Sequence, residues 1–484
     1  MQFCGRRVHF IGIGGAGLSA IARVLLEQGA EVSGSDLVLS SVARALARDG
    51  AYVFTGHRAE NVAGAELVVV SSAVPESNVE VCAAQAAGIP VLKRPEFLAR
   101  MMDGQFGVAV AGTHGKTTTT AMISFILLEA GCDPTFIVGG VIAGLGTNAR
   151  MGRGPHVVIE ADEYDRTFLN LSPKVAVVTN VEHDHPDCYP TFTDFQSAFR
   201  DFVALVPPEG LLVACWDDPV VQKLDQQWDT EAAVVFFGLG EGAQWRAEEI
   251  RPNFAGGVDF LAMHEREVLG LVRLRLPGVH NASNAMAALA VADFLQVPFA
   301  VARGALTEFR GVGRRFEVKG EAGGVIVVDD YAHHPTEIRA TLSAARQRFP
   351  QRSLWAVWQP HTYSRTKVLL EEFRQAFEQA DHVIVLPIYA ARETDTLGIR
   401  SADVVAAMPH PDVHCAESLE EAVVWLGTEV RPGDVVLTLG AGDGYRVGEW
   451  LLEVLEADPT SCDTALDEEW QNQHNSKSQI PARL

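Results

Sequence analysis

Apolar positions along this chain fall into short runs, each closed by a polar or glycine-rich turn and followed by a stretch with helical spacing. The first run starts at Val8 and meets Gly12-Ile-Gly-Gly-Ala-Gly17; a helical pattern continues to about Gln28, and a second strand closes at Asp36. The run Leu67–Val70 ends in Ser71-Ser72-Ala73, and Lys93-Arg-Pro-Glu-Phe97 reads as a closing element before a boundary near Gly104. The pattern then restarts. Val108-Ala-Val-Ala111 meets Gly112-Thr-His-Gly-Lys-Thr117, with a helix expected from Thr117 to about Glu129, and Val157–Ile159 and Val175–Val178 are further strands. A β-rich stretch over 211–276 precedes Pro277–Asn284 and an alanine-rich helix. A linker rich in glycine and arginine, 309–316, leads to a third set of strands, Val325–Val328, Leu354–Trp358, Val383–Leu386 and Val435–Leu439. Continuous apolar runs alternating with helices predict an α/β protein with parallel sheets. The expected regions are 1–104, 105–314 and 315–456, followed by a polar, aperiodic tail, 457–484, expected to be disordered.

The turns that close the strands carry the chemistry. In Gly112, Thr113, His114, Gly115, Lys116, Thr117 and Thr118, backbone N–H groups of the turn and helix N-terminus can face phosphate oxygens. Lys116 adds a point charge, and the Thr117 hydroxyl can ligate magnesium. Val110 stands where the common phosphate loop has its first glycine. Gly12, Gly14 and Gly17, with Gly15 and Ala16 between them, let a turn approach a diphosphate, and Asp36 can accept ribose hydroxyls. That loop fits a nicotinamide cofactor, a nucleotide sugar or a plain tight turn. Ser71 and Ser72 lie where open α/β sheets hold ligands. Glu160, in Glu160-Ala-Asp-Glu-Tyr-Asp165, is a hard oxygen ligand for magnesium; the same segment also reads as a solvated acidic turn. His183 and His185 follow the next strand. Asn281 and Asn284 share one face of a helical first turn, where asparagine is commonly a cap. In the third region Asp329-Asp-Tyr-Ala-His-His-Pro335 and Gln359-Pro-His-Thr-Tyr-Ser-Arg-Thr366 bring histidine and arginine to separate strand ends.

Composition narrows the options. With 484 residues, 48% hydrophobic, the chain can fill several domains. A formal net charge of −23 without a basic block argues against nucleic acid. Seven scattered cysteines lack disulfide or zinc spacing. With no signal-like or membrane-spanning apolar segment in the sequence, the expected location is the cytoplasm.

The segments Gly12–Gly17, Gly112–Thr118, Glu160–Asp165, Asn180–His185, His280–Asn284, Gly313–Phe316 and Asp329–Glu337, in that order, resemble the Mur ligase family, which builds the peptide of the bacterial cell-wall precursor. The resemblance spans about residues 6–456. It implies a Rossmann-like N-terminal domain for a UDP-sugar, a central P-loop ATPase domain, and a C-terminal Rossmann-like α/β domain that closes over ATP. It further implies ATP-dependent ligation of L-alanine to UDP-N-acetylmuramate through an acyl phosphate, in peptidoglycan precursor synthesis. The N-terminal loop, Gly12 to Gly17 with Asp36, Ser71 and Ser72, would bind the UDP-sugar.

By the same resemblance Lys116 would hold the β- and γ-phosphates, Thr117 and Glu160 one magnesium ion, and His185 a second. Asn281 and Asn284 would contact ATP, with Arg315 and Asp330 reaching it after closure. His334, His361 and Arg365 would hold the amino acid. The expected association is a monomer or weak homodimer. Three rivals stand beside this reading. One is a recycling ligase that adds a tripeptide to the same sugar nucleotide, for which a different sequence is expected at 359–366; another is an NAD-dependent oxidoreductase, which leaves Lys116 and the acidic strand ends unused; the third is a non-catalytic nucleotide-binding switch, which keeps Lys116 and Thr117 but has no need of the third region's histidine and arginine set.

Overall fold

The computed structural model describes residues 3–457. Ala457 ends the last helix, and the rest of the expected tail lies outside the described residues. The strands form three sheets. The first is fully parallel, in the order β3-β2-β1-β4-β5, from β1 (Arg7–Ile11), β2 (Glu31–Asp36), β3 (Tyr52–Thr55), β4 (Leu67–Val70) and β5 (Val91–Lys93).

The second sheet holds β6 (Phe106–Ala111), β7 (Thr135–Ile142), β8 (Thr147–Arg150), β9 (His156–Glu160), β10 (Val175–Val178), β11 (Leu211–Cys215), β12 (Ala233–Gly238), β13 (Trp245–Pro252), β14 (Val258–His264) and β15 (Glu267–Arg273). Its order is β15-β14-β13-β12-β11-β10-β6-β9-β7-β8. The third sheet runs β16-β17-β21-β18-β19-β20, from β16 (Glu317–Ala322), β17 (Val325–Asp330), β18 (Leu354–Trp358), β19 (His382–Val385), β20 (Val413–Cys415) and β21 (Val435–Leu439).

The apolar runs have a simple cause. Val108 and Val110 of β6 enter one hydrophobic core, while Ala109 and Ala111 enter another on the opposite face. Val175 and Val177 of β10 divide from Ala176 and Val178 in the same way. A strand buried on both faces has no solvent side to show as polar alternation. The third sheet repeats this, with Ala356 and Trp358 facing one core and Trp355 and Val357 the other.

Register then fixes where the turns emerge. Central β6 pairs with β9 (Val110 with Glu160) and with β10 (Ala111 with Val178), so Gly112, Glu160 and Thr179 leave the sheet at one edge.

The chain divides into two compact units at Gly313/Arg314. The first two sheets belong to one unit and share a continuous core. The helix Arg94–Met102 buries Phe97, Leu98, Met101 and Met102 in that core alongside Phe168 and Leu171. Met102 packs directly onto the Gly107 backbone, where a Cβ would lie 2.1 Å from Met102 Cε and 3.0 Å from Ser172 O. Among the described residues no helix is long and apolar enough to cross a membrane.

Candidate active site

The phosphate turn is built from backbone conformation first. Gly112 and Gly115 take φ of 137° and 81°, where side chains with a Cβ are strained, and Gly115 caps the helix Lys116–Glu129. That helix begins one residue earlier than the sequence pattern predicts. The turn is braced from the loop after β10: the Asn180 carbonyl oxygen accepts from Thr113 N at 3.1 Å, and Asn180 Oδ1 accepts from His114 N at 2.8 Å. The Thr179 hydroxyl donates to His114 O, and Thr113 Oγ1 both donates to Glu182 O and accepts from Glu182 N at 2.9 Å. His114 Nε2 lies 3.1 Å from Glu182 Oε2.

Lys116 folds back onto this turn. Its Nζ donates to Gly112 O, to Thr113 O at 3.1 Å and to Glu163 Oε1 at 2.9 Å. Burial alone would push this ammonium down, but the Glu163 and Glu160 carboxylates outweigh it and hold Lys116 above its ordinary value.

Thr117 Oγ1 donates to Glu160 Oε1 at 2.9 Å, and Gly139 N donates to Glu160 Oε2 at 2.6 Å. Asp162 is held low against its burial by Arg94 first, then Lys116 and His185. His185 sits at φ 55° with Nε2 3.5 Å from Glu163 Oε1. Glu163 Oε2 is buried and has no hydrogen-bond partner among the described residues. The Glu160 carboxylate and the Thr117 hydroxyl, 2.9 Å apart, are hard oxygen donors of the kind magnesium takes together with phosphate oxygens and water, so this pair fits magnesium.

Asn281 and Asn284 do not cap their helix, Val279–Phe294, whose N-cap is Gly278. Both are buried; Asn281 Nδ2 donates to Pro277 O at 2.7 Å, and a Cβ on Gly115 would lie 2.8 Å from Asn284 Oδ1. Asn284 therefore lies against the phosphate turn, and its Nδ2 donates to Asn281 Oδ1 behind it at 3.4 Å.

The N-terminal loop is closed by its own acid. Asp36 Oδ2 accepts from Gly14 N at 2.9 Å, so one of its oxygens is already engaged. A Cβ on Gly12 would meet Ser71 Cβ at 3.1 Å, which places Ser71 against the loop, with Ser72 exposed beside it. Gly15 caps the helix Ala16–Glu27 with no side-chain bond, and Gly17 lies under Arg94.

In the second unit, Arg365 is buried, with Nη1 2.9 Å from His361 Nδ1 and 3.3 Å from His361 O. His361 stacks on Tyr389 at 5.7 Å. His334 caps the helix Pro335–Arg348, its Nδ1 accepting from Thr336 N at 3.3 Å. Asp330 accepts from Phe316 N and Ala332 N at 2.7 and 2.8 Å, and burial pushes its carboxyl up to about 6. Arg315 lies over the Tyr331 ring and 3.5 Å from Glu337.

Sequence reasoning singled out Glu160 within the acidic segment and passed over Glu163, the carboxylate that pairs with Lys116. It also left Asn180, Glu182 and Arg94 without roles, although all three lie in segments it had marked, Arg94 in the closing element Lys93–Phe97.

Glycine turns at the strand–helix junctions of parallel sheets define the class, an α/β protein of nucleotide-binding type, and comparison with known proteins defines the family. The chain matches the models "Mur ligase family, catalytic domain" at 7–106, "Mur ligase middle domain" at 110–292 and "Mur ligase, glutamate ligase domain" at 314–442. It belongs to the Mur ligase family. It is 45% identical over 448 residues to a UDP-N-acetylmuramate–L-alanine ligase of Desulfatibacillum aliphaticivorans, covering 92% of this chain and 98% of that protein. Identity to the ligase of the same name from Geobacter sp. (strain M21) is 46% over 454 residues, covering 93% and 98%. Among solved structures, the UDP-N-acetylmuramate–alanine ligase of Thermotoga maritima matches with TM-score 0.78 and 29% identity over 92% of this chain and 98% of that one. A murein peptide ligase of Psychrobacter arcticus matches with TM-score 0.72 and 25% identity, over 96% of this chain and 100% of that one.

Proposed function

We propose that this protein joins L-alanine to UDP-N-acetylmuramate, converting ATP to ADP and phosphate. The observation that supports the reading is that two glycine turns at strand–helix junctions share one compact unit and are linked by Arg94 and Asp162 at 3.2 Å; on this reading the turn with Lys116 takes the triphosphate and the other the diphosphate. The relatives named above support the choice of sugar nucleotide and amino acid.

A carboxylate and an ammonium do not condense unaided near neutral pH, because hydroxide is a poor leaving group. In the proposed reaction the lactyl carboxylate attacks the γ-phosphorus of ATP, ADP leaves, and an acyl phosphate forms. The neutral amine of L-alanine then attacks the acyl carbon; phosphate leaves with the C–O electron pair, and the amine proton passes to solvent or base. Phosphoryl transfer of this kind depends on positioning and charge neutralisation.

Lys116 would exchange Glu163 and its own loop carbonyls for phosphate oxygens, while the turn's N–H groups orient the chain of phosphates. Thr117 and Glu160 would hold one magnesium ion and His185 a second, supplying further charge neutralisation at the transferred group. Asn281 and Asn284 would shape the nucleotide side of the turn, and His361 and Arg365 would take the amino-acid carboxylate.

The test is phosphate release with L-alanine, L-serine, glycine or the tripeptide as amine, run beside hydroxylamine trapping of the acyl phosphate without amine. Trapping should require both ATP and the sugar nucleotide and vanish in Lys116→Ala, and L-alanine should give the highest kcat/KM. Preference for the tripeptide, or phosphate release independent of the sugar nucleotide, would refute the reading.

A further inference from the structure

The short helix that carries Arg365, Tyr363–Val368, is held from outside itself. Its first N–H groups have no partner within the helix. Two of them are taken by one carboxylate from the segment after β19, 30 residues downstream: Glu393 Oε2 accepts from Tyr363 N at 2.6 Å and from Ser364 N at 3.0 Å. Glu393 Oε1 accepts from the Ser364 hydroxyl, so both carboxylate oxygens are spent on this helix start. At the other end of the helix, Lys367 Nζ donates to Leu397 O at 2.9 Å. One loop therefore spans the helix from end to end.

The same loop brackets His361. Tyr389 N donates to Pro360 O at 2.8 Å and Thr362 N donates to Tyr389 O at 2.9 Å, while the Tyr389 ring stacks on the imidazole. Thr362, Ala391 and Leu397 take φ of 66°, 51° and 51°, and such strain at non-glycine positions persists only where surrounding contacts over-determine the backbone. Only one polarity is open to the contact between the two side chains. A guanidinium has no acceptor, so Arg365 Nη1 donates and His361 Nδ1 accepts at 2.9 Å, which leaves the imidazole neutral with its proton on Nε2. Arg365 and His361 thus act as a paired set of donors, of the kind a carboxylate takes.

We propose that Glu393 is a positioning residue for the amino acid: by fixing the start of Tyr363–Val368 against the Tyr389 loop, it sets Arg365 and His361 at the spacing that receives the carboxylate of L-alanine. This deepens the proposed function and rests on it. The loop after β19 is then a working wall of the amino-acid site, and Glu393 acts through the helix that carries Arg365.

The test compares two amines that meet the same acyl phosphate in the full chain. L-alanine presents a carboxylate to Arg365 and His361, and hydroxylamine presents none. In Glu393→Ala the KM for L-alanine should rise about tenfold or more, as for loss of a charged hydrogen bond, while hydroxylamine trapping keeps its wild-type rate. Glu393→Gln retains one carbonyl acceptor for the helix N–H groups and should fall between the two; it also serves if the alanine variant does not fold. In an Arg365→Ala background, Glu393→Ala should raise the KM about threefold at most, because residues that act as one unit are not additive.

A wild-type KM for L-alanine in both Glu393 variants, equal losses with L-alanine and hydroxylamine, or full additivity with Arg365→Ala would overturn the role of Glu393. Phosphate release by wild type that L-alanine does not stimulate would instead remove the proposed function, and the inference with it.

Discussion

Replacing Glu163 by glutamine tests the pairing at the centre of the phosphate site with almost no change in shape. Its carboxylate is about 1% exposed and faces Lys116 Nζ at 2.9 Å and His185 Nε2 at 3.5 Å. Removing one partner of a buried ion pair costs about 3–5 kcal/mol when the other is left alone. Lys116 is not left alone, because Glu160 and Asp162 also act on it and it keeps two loop carbonyls. The expected loss for Glu163→Gln near neutral pH is therefore smaller, about 1–3 kcal/mol.

The pH dependence identifies the cause. In wild type the Lys116 value lies above its unfolded value of 10.5, so its stabilisation is complete below that pH and is lost as pH rises through the folded value. In Glu163→Gln burial gains on the remaining carboxylates and the folded value moves down. The difference between the two proteins should be largest near neutrality and shrink as pH passes 10.5, because a neutral Lys116 no longer needs its partner. Urea unfolding of both proteins at neutral and strongly alkaline pH measures this. Equal stability near neutrality, or a deficit that stays constant with pH, would show that packing and not charge holds Glu163 in place.

Two further outcomes follow from the second unit. Burial raises Asp330 from 3.8 to about 6, so the native state keeps a proton that the unfolded chain has released; stability should fall by about 3 kcal/mol as pH climbs through that window and stay level above it. Urea unfolding across the same range should show this slope flattened in Asp330→Asn, and an unchanged slope would count against the assignment. Arg365→Ala should raise the KM for L-alanine about tenfold or more, through loss of a charged hydrogen bond, and leave acyl-phosphate trapping nearly intact. An alanine dependence equal to wild type would remove Arg365 from amino-acid binding.

Much of this architecture is legible in the chain because its strands are buried on both faces. Val108 to Ala111 and Val175 to Val178 read as continuous apolar runs since alternate residues enter different cores, and their polar ends then mark one sheet edge. Helix starts are less legible. The pattern suggested Thr117, but the left-handed Gly115 acts as the cap and Lys116 is the first helical residue. The shared core of the first two sheets is not legible at all. The apolar face of Arg94–Met102 announces burial, but not that it is buried against Gly107, Phe168 and Leu171 of the next region.

The same limit explains why Glu160 was legible and Glu163 was not. Glu160 ends β9, so strand alternation and register carry it to the sheet edge beside Thr117. Past that point the backbone leaves any regular period: Asp165 and Arg166 take φ of 54° and 52°, and His185, on the facing loop, takes 55°. Non-glycine residues in this region cost on the order of 1–3 kcal/mol each and persist only where surrounding contacts over-determine them. Here the contacts are those of the buried Tyr189, whose hydroxyl donates to Glu163 O at 2.5 Å, and of Asp162, whose Oδ1 accepts from Tyr164 N at 3.1 Å. The direction of the Glu163 carboxylate is thus set by a backbone path that no local period encodes, and by a tyrosine 26 residues downstream. Glu160 owes its place to the sheet, whereas Glu163 and His185 owe theirs to strain held by tertiary contacts, and it is the Glu163 Oε1 atom that Lys116 and His185 share.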